Sequence, residues 1–241
     1  MKKKRVVITG GAGAFAKKFK AFNKKFLIKF PTKYELNILS LSQIKNYIKK
    51  FKPDYLIHNA ALSRPMDIHE KNINLSIKKN IIGTCNIVTV CNEYNVKLIY
   101  FSTNYVYPGK RGNYKETDPI LPCNNYGWSK LGGECAVQMY KNSLILRLAI
   151  TKYPFKHKKA YTNVKSSFIY YSDAASIVMK LINQKGVINI GGKSQTIFNF
   201  VKDKKKKIFP IIYDSKIHSS LIPKNSSLNL LKMKKLIKKQ K

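Results

Sequence analysis

Three side chains stand out for the chemistry that their types and spacing allow. Tyr126 and Lys130 lie four apart in Tyr126-Gly-Trp-Ser-Lys130. On a helix such positions share a face, so phenol and ammonium can meet in one site. A free phenol titrates near ~10, too high for acid–base work at neutral pH. A neighbouring ammonium favours the phenolate and draws that pKa toward the working range. Upstream, the apolar run Leu98–Phe101 delivers Ser102 and Thr103 to what reads as the carboxyl end of a strand. The Thr103 hydroxyl is placed to hold a carbonyl or alcohol against Tyr126. Together the three suit moving a proton on or off an oxygen while a hydride moves on or off its carbon. The Tyr-x-x-x-Lys spacing alone is unspecific in a chain so rich in both residues, where it can be a solvated helical pair. Its weight comes from what surrounds it.

The elements that must position these groups begin at the amino terminus. Val6-Val7-Ile8 reads as a short buried strand, followed by Gly10-Gly-Ala-Gly13-Ala14-Phe15-Ala16. This G-x-x-G-x-x-A pattern puts small residues where a turn must be tight and where backbone must approach a pyrophosphate. Phe15, Phe19 and Phe22 predict a helix packed on the core, whose amino terminus would offer N–H donors and dipole to phosphate. Lys25–Phe30 is a second strand. Near its end stand Lys29, Thr32 and Lys33, where NAD enzymes place a carboxylate, which leans toward NADP; Glu35 keeps NAD open.

Further on, Ser42–Phe51 is an amphipathic helix and Tyr55–His58 a third strand. Asn59-Ala60-Ala61 then marks either close passage of backbone by a ligand or a plain strand-to-loop transition. Ser63–Asp67 is a loop and Lys71–Tyr94 one long helix. Within it Asn80 either packs or orders a proton-relay water. Leu144–Leu148 is a fifth strand, Ser172-Asp173 caps a helix over Ala174–Ile182, and Gly186–Gly192 gives a sixth strand. Strands alternating with helices predict an α/β fold, a Rossmann-type doubly wound parallel sheet. Residues 1–150 read as the dinucleotide-binding domain. In 151–241, helix 172–184 and strand 186–191 return to that sheet, and the remainder forms a small substrate-binding lobe. Lys202–Lys207 reads as a solvated face, and the tail as a basic helix.

Composition narrows the function classes. In 241 residues the hydrophobic share of 44% suffices for a proper core, and no run approaches the ~20 apolar residues that span a bilayer. The net charge of +36 invites a nucleic-acid reading. However, all but four of the 47 cations are Lys, spread along the whole chain. Phosphate clamping and base readout lean on Arg forks, so the charge reads as solvated faces and no specific nucleic-acid partner is expected. The four cysteines form no C-x-x-C pair and the four histidines no ligand spacing. No metal is expected, and the thiols fit a reducing cytoplasm. The lysine-flanked start, broken by Thr9-Gly10-Gly11, does not read as a signal peptide.

With these residues in hand, the chain resembles the extended short-chain dehydrogenase/reductase superfamily, and within it the dTDP-4-dehydrorhamnose reductase-like branch. The stretches that carry the likeness are Thr9–Ala16, Glu35-Leu-Asn37-Ile38, Lys52-Pro-Asp54, Asn59-Ala-Ala61, Ser102–Tyr107, Tyr114–Asp118, Tyr126-Gly-x-Ser-Lys130 and Pro223–Asn229. The resemblance implies that Tyr126 protonates a C4 keto oxygen and Thr103 holds that oxygen. Lys130 would lower the tyrosine pKa and bind the nicotinamide ribose. Gly10, Gly13, Ala14, Phe15 and Ala16 would seat the cofactor pyrophosphate, with Asn37, Ile38, Asn59, Ala60, Ala61 and Asn80 completing the cofactor site. It further implies a nucleotide-sugar substrate, NADPH as cofactor with NADH as the alternative, no membrane partner, and it allows a homodimer. Asn104-Tyr105 replaces the Asp-Glu pair of the 4,6-dehydratases, which argues against dehydration. Ile150 and Ile222 replace a tryptophan and an arginine of the branch pattern. The alternatives are a nucleotide-sugar 4-epimerase and a non-catalytic NADP-binding regulatory subunit, of which the branch has an example.

Overall fold

The computed structural model describes residues 2–204, 207–216 and 222–239. Six parallel strands form one sheet: β1 (Lys4–Thr9), β2 (Phe26–Lys29), β3 (Tyr55–His58), β4 (Lys97–Thr103), β5 (Ser143–Leu148) and β6 (Gly186–Ile190), in the order β6-β5-β4-β3-β1-β2. Both faces are covered, so the strands are apolar almost throughout, as parallel sheets require. Side chains alternate between two cores. Val6, Ile8, Ile57, Ile99, Leu144 and Ile188 face one, with Phe15, Phe19, Ala174 and Val178. Val7, Leu56, Leu98, Tyr100 and Ile145 face the other, against Ile44, Ile48, Ile87 and Val90. The helices supplying these faces are α1 (Leu41–Phe51), α2 (Gly83–Glu93), α3 (Asn125–Gln138) and α4 (Tyr171–Leu181).

Strand order reverses between β1 and β3. In open α/β sheets the crevice outside the carboxyl ends at such a reversal is where ligands bind. The ends of β1, β3 and β4 carry Thr9-Gly10, His58-Asn59 and Thr103 to that rim.

Three local expectations are corrected. The glycine turn leads into a 3-10 helix over Ala16–Phe22, not a regular α-helix. Ala16, Phe19 and Phe22 recur every three residues, the period of a 3-10 helix, which stacks them on one side. Phe19 is fully buried there. The long helix over Lys71–Tyr94 is broken at Asn72, whose side chain accepts from Leu75 N and starts a new helical run. That run contains a π-helical stretch, Ile77–Ile82, before α2. Finally, Ser172 and Asp173 lie inside the first turn of α4, whose N-cap is Tyr170 without a side-chain cap.

Beyond β5 the chain makes short pairings: Ile150–Thr151 with Ile169–Tyr170, Lys159–Tyr161 with Phe209–Ile211, and Lys165–Ser166 with Gln195–Thr196. The basic tail forms α5 (Leu231–Lys238), which buries Met233 in the first core; Lys232 Nζ donates to Val187 O on β6 (2.7 Å). Within the Lys202–Lys207 run, residues 205 and 206 lie outside the described residues.

Candidate functional site

The reversal crevice is held open and in register by a buried polar chain. Thr84 donates its only hydroxyl proton to Asn80 O (2.8 Å) and therefore accepts from His58 Nε2–H (3.1 Å). His58 Nδ1 then accepts from the Thr9 hydroxyl (2.9 Å), and Thr9 Oγ1 accepts from Asn59 N and Ala60 N. Burial pulls the His58 pKa down to about 3, with the Lys130 charge acting the same way, so this imidazole stays neutral. The result ties β1, β3 and α2 together at one point. Gly10 adopts φ +67° against this edge, and a Cβ there would stand 3.0 Å from Ala60 Cα. Only glycine lets β1 turn back so close to Ala60.

Tyr126 sits in the first turn of α3, capped by Asn124, which accepts from Gly127 N (2.8 Å). Its ring packs against His69 (5.1 Å) and edge-on to Tyr105 (5.9 Å). Burial raises the Tyr126 pKa, opposed by a hydrogen bond with Thr103 and by the charge of Arg64. Lys130, four residues on and 3% exposed, lies with Nζ 4.2 Å from the Tyr100 ring centroid. Burial pulls its pKa down to about 7, with Glu134 opposing. The sequence reading has this ammonium lowering the Tyr126 pKa; instead, desolvation wins and the phenol keeps its proton. A phenol of this kind is a proton donor at neutral pH.

The end of β4 is tied to α3 by ion pairing behind the cleft. Glu134, fully buried, accepts from Arg147 Nη2 (2.6 Å) and Nε (3.1 Å) and from the Ser102 hydroxyl (2.6 Å). The adjacent Asn104 donates its amide to Ser166 Oγ, Ser226 O and Ser226 Oγ (3.2, 3.1 and 2.8 Å). It therefore anchors the carboxyl-terminal segments and offers no acid to the cleft.

The cleft encloses about 720 Å³, within the range of small-molecule sites. Of the residues singled out in the sequence, Gly10, Gly13, Ala14, Phe15, Asn37, Ile38, Asn59, Ala60, Ala61, Thr103, Tyr126 and Lys130 line it. Ala16 and Asn80 do not. Ala16 is buried in the core. Asn80 stands behind the wall, its amide engaged by Leu62 N, Leu62 O and Ser129 Oγ (2.7, 2.9 and 2.9 Å), so it pins the Leu62 loop to α3. Thr32 and Lys33 line the cleft and Lys29 does not. The sequence reading missed Arg64, Tyr105, Phe168 and Tyr171 as lining residues. Tyr105 could have been found from its place two residues after Thr103, and Arg64 from the loop directly after Ala61; Phe168 and Tyr171 depend on long-range packing. Among the described residues no Asp or Glu lines the cleft, whereas Lys33, Arg64, Lys79 and Lys130 do. A cradle of tight glycine turn, small residues and cations without a competing carboxylate fits a dinucleotide. Among the described residues no cluster could hold a metal ion, and no helix is long and apolar enough to cross a membrane.

Known proteins share this fold. Over 97% of its length the chain superposes, at a TM-score of 0.89 and 25% identity, on 92% of the dTDP-4-dehydrorhamnose reductase from Bacillus anthracis str. Ames in complex with NADP. It is 32% identical over 152 residues to the dTDP-4-dehydrorhamnose reductase of Aggregatibacter actinomycetemcomitans, covering 61% of this chain and 51% of that protein. It is 37% identical over 116 residues to methionine adenosyltransferase 2 subunit beta of Xenopus laevis, covering 48% of this chain and 34% of that protein. The chain thus spans a third to a half of these curated relatives. Residues 4–163, from β1 through α3 and past β5, match the RmlD substrate binding domain family, to which this chain belongs.

Proposed function

We infer that the protein is a cytoplasmic NADPH-dependent oxidoreductase that reduces a nucleotide-linked 4-keto-6-deoxy sugar. The observation that carries this reading is that Thr103, Tyr126 and Lys130 line the same cleft as the Gly10–Ala14 turn, with Thr103 hydrogen-bonded to Tyr126. The glycine turn Gly10–Ala14 would hold the pyrophosphate through backbone N–H groups. Thr32 and Lys33 would meet a 2′-phosphate. Glu35 does not line the cleft; its carboxylate accepts from Thr32 N (2.7 Å). When bound, the dinucleotide supplies the hydride. Thr103 then holds the keto oxygen, and Tyr126, kept protonated by burial, passes its proton to that oxygen as the carbon is reduced. Lys130, in its protonated form, would add positive charge to the same cleft. The NADP complex of the Bacillus anthracis reductase supports the cofactor assignment.

A second reading, a non-catalytic dinucleotide-binding subunit of a larger assembly, draws on the likeness to methionine adenosyltransferase 2 subunit beta. One experiment separates the two: NADPH oxidation followed optically against a panel of 4-keto-6-deoxy nucleotide sugars. Consumption with one member is the expected result. Tight NADPH binding with no turnover on any member would favour the subunit reading.

A further inference from the structure

Two cations of the cleft, Arg64 and Lys79, have no place in the dinucleotide seat or beside Tyr126 and Lys130, and Arg64 is the one whose charge reaches Tyr126. Arg64 lies in the loop after Asn59–Ala61 and is solvent-exposed, and it lines the same cleft as Tyr105 and Tyr126. Its charge reaches both hydroxyls, opposing the upward push of burial on each. Among the described residues no carboxylate pairs with it; the four exposed or half-exposed ion pairs use Lys4, Lys45, Lys71 and Arg111, and the buried one Arg147. Nor does any acidic side chain line the cleft to neutralise it.

An unneutralised guanidinium in the cleft near Tyr126 raises the positive potential there and attracts anions. Its planar fork matches phosphate and carboxylate oxygens with two parallel N–H donors. Tyr105, held protonated by burial, adds a hydroxyl donor beside it. We propose that Arg64 is a specificity residue that grips an anionic oxygen group of the substrate, a phosphate or a carboxylate, next to the carbonyl that Tyr126 protonates. The cleft therefore selects acidic carbonyl compounds over neutral ones of the same shape. The carbonyl in this statement rests on the reductase reading; the anion grip does not.

The test uses the full chain saturated with NADP. Calorimetric titration with thymidine diphosphate and, separately, with UDP-glucuronate compares the unmodified protein with Arg64→Gln and Arg64→Lys. NADPH oxidation with a 4-keto-6-deoxy nucleotide sugar is measured in parallel. Arg64→Gln should weaken binding by about tenfold or more, the scale of a lost charge-assisted pair, with Arg64→Lys recovering part of it and NADP affinity unchanged. Loss with both probes identifies the diphosphate as the gripped group. Loss confined to UDP-glucuronate identifies a carboxylate on the sugar ring. Equal affinity of all three proteins for both probes, or no binding of either probe by the unmodified protein, would overturn the proposal. Arg64-dependent binding without NADPH oxidation would retire the reductase reading and leave the grip standing.

Discussion

Glu134 and Arg147 form a buried ion pair, 2.6 Å between Oε1 and Nη2, with side chains 0% and 3% exposed. Glu134 sits two turns beyond Tyr126 on α3, and Arg147 pairs in register with Ser102 on β4. The pair therefore sets the height of the tyrosine helix against the strand that presents Thr103. Arg147 also donates to the Tyr107 hydroxyl (2.8 Å) and Glu116 O (3.1 Å), so its charge is well satisfied. Removing one partner leaves the other charged in an apolar interior. Glu134→Gln should cost about 3–5 kcal/mol of folding stability, measured by urea denaturation. The double variant Glu134→Leu, Arg147→Met should recover a large part of that loss. Equal stability of Glu134→Gln and the unmodified protein would mean that the pair does not hold α3 in place.

Tyr126→Phe removes the proton and keeps the ring against His69 and Tyr105. A positioned general acid contributes on the order of 10²–10⁴ in rate. The variant should lose kcat by that range while its NADPH dissociation constant stays within about twofold, an effect of under ~0.5 kcal/mol. Stopped-flow NADPH oxidation and fluorescence titration read the two separately. A retained rate would remove Tyr126 from the role of donor.

Much of this site is legible in the sequence. The strand-ending Ser102-Thr103, the helix spacing of Tyr126 and Lys130, and the glycine turn all follow from local rules, and all reach the cleft. The electrostatic outcome is not legible, because it depends on burial. Lys130 meets the Tyr100 ring, which lies on a strand thirty positions earlier by contact across β4, and desolvation outweighs the expected pairing with Tyr126. Asn80 shows the same gap. Its place in an apolar helix marks it as special, yet only the π-helical stretch and the Leu62 loop decide that its amide serves the scaffold. The 3-10 form of Ala16–Phe22 escaped because a period of three and one of 3.6 differ little over seven residues.

Lys33 and Lys29 separate the two cofactor preferences. Only Lys33 lines the cleft, so Lys33→Gln should narrow the preference for NADPH over NADH by about tenfold, the scale of one cation–phosphate contact. Lys29→Gln should leave it within about twofold, a difference of under ~0.5 kcal/mol. The ratio of kcat/KM values for the two cofactors is the measurement. Equal ratios in both variants and the unmodified protein would place the 2′-phosphate elsewhere or show that no such preference exists.

Lys130 should make cofactor binding depend on pH. Its pKa in the free protein lies at about 7, pulled down from 10.5 by burial. Below that pH the ammonium is present and attracts the dinucleotide; above it the free protein holds a neutral amine and must take up a proton to recover the charge. Affinity should therefore fall as pH rises from about 7 toward 9, by at most about tenfold per pH unit for a single proton. Folding responds with the opposite sign. The unfolded chain keeps its Lys130 proton up to the ordinary value, so between about 7 and 10.5 it binds more protons than the folded protein. This residue's penalty on stability is thus full below 7 and is relieved as pH climbs through that window. Titration of NADH, which lacks the 2′-phosphate that itself titrates, isolates the lysine. Lys130→Met should bind NADH more weakly at pH 6.5 and lose most of the pH dependence. A dependence as steep in Lys130→Met as in the unmodified protein would assign the titrating charge to another group.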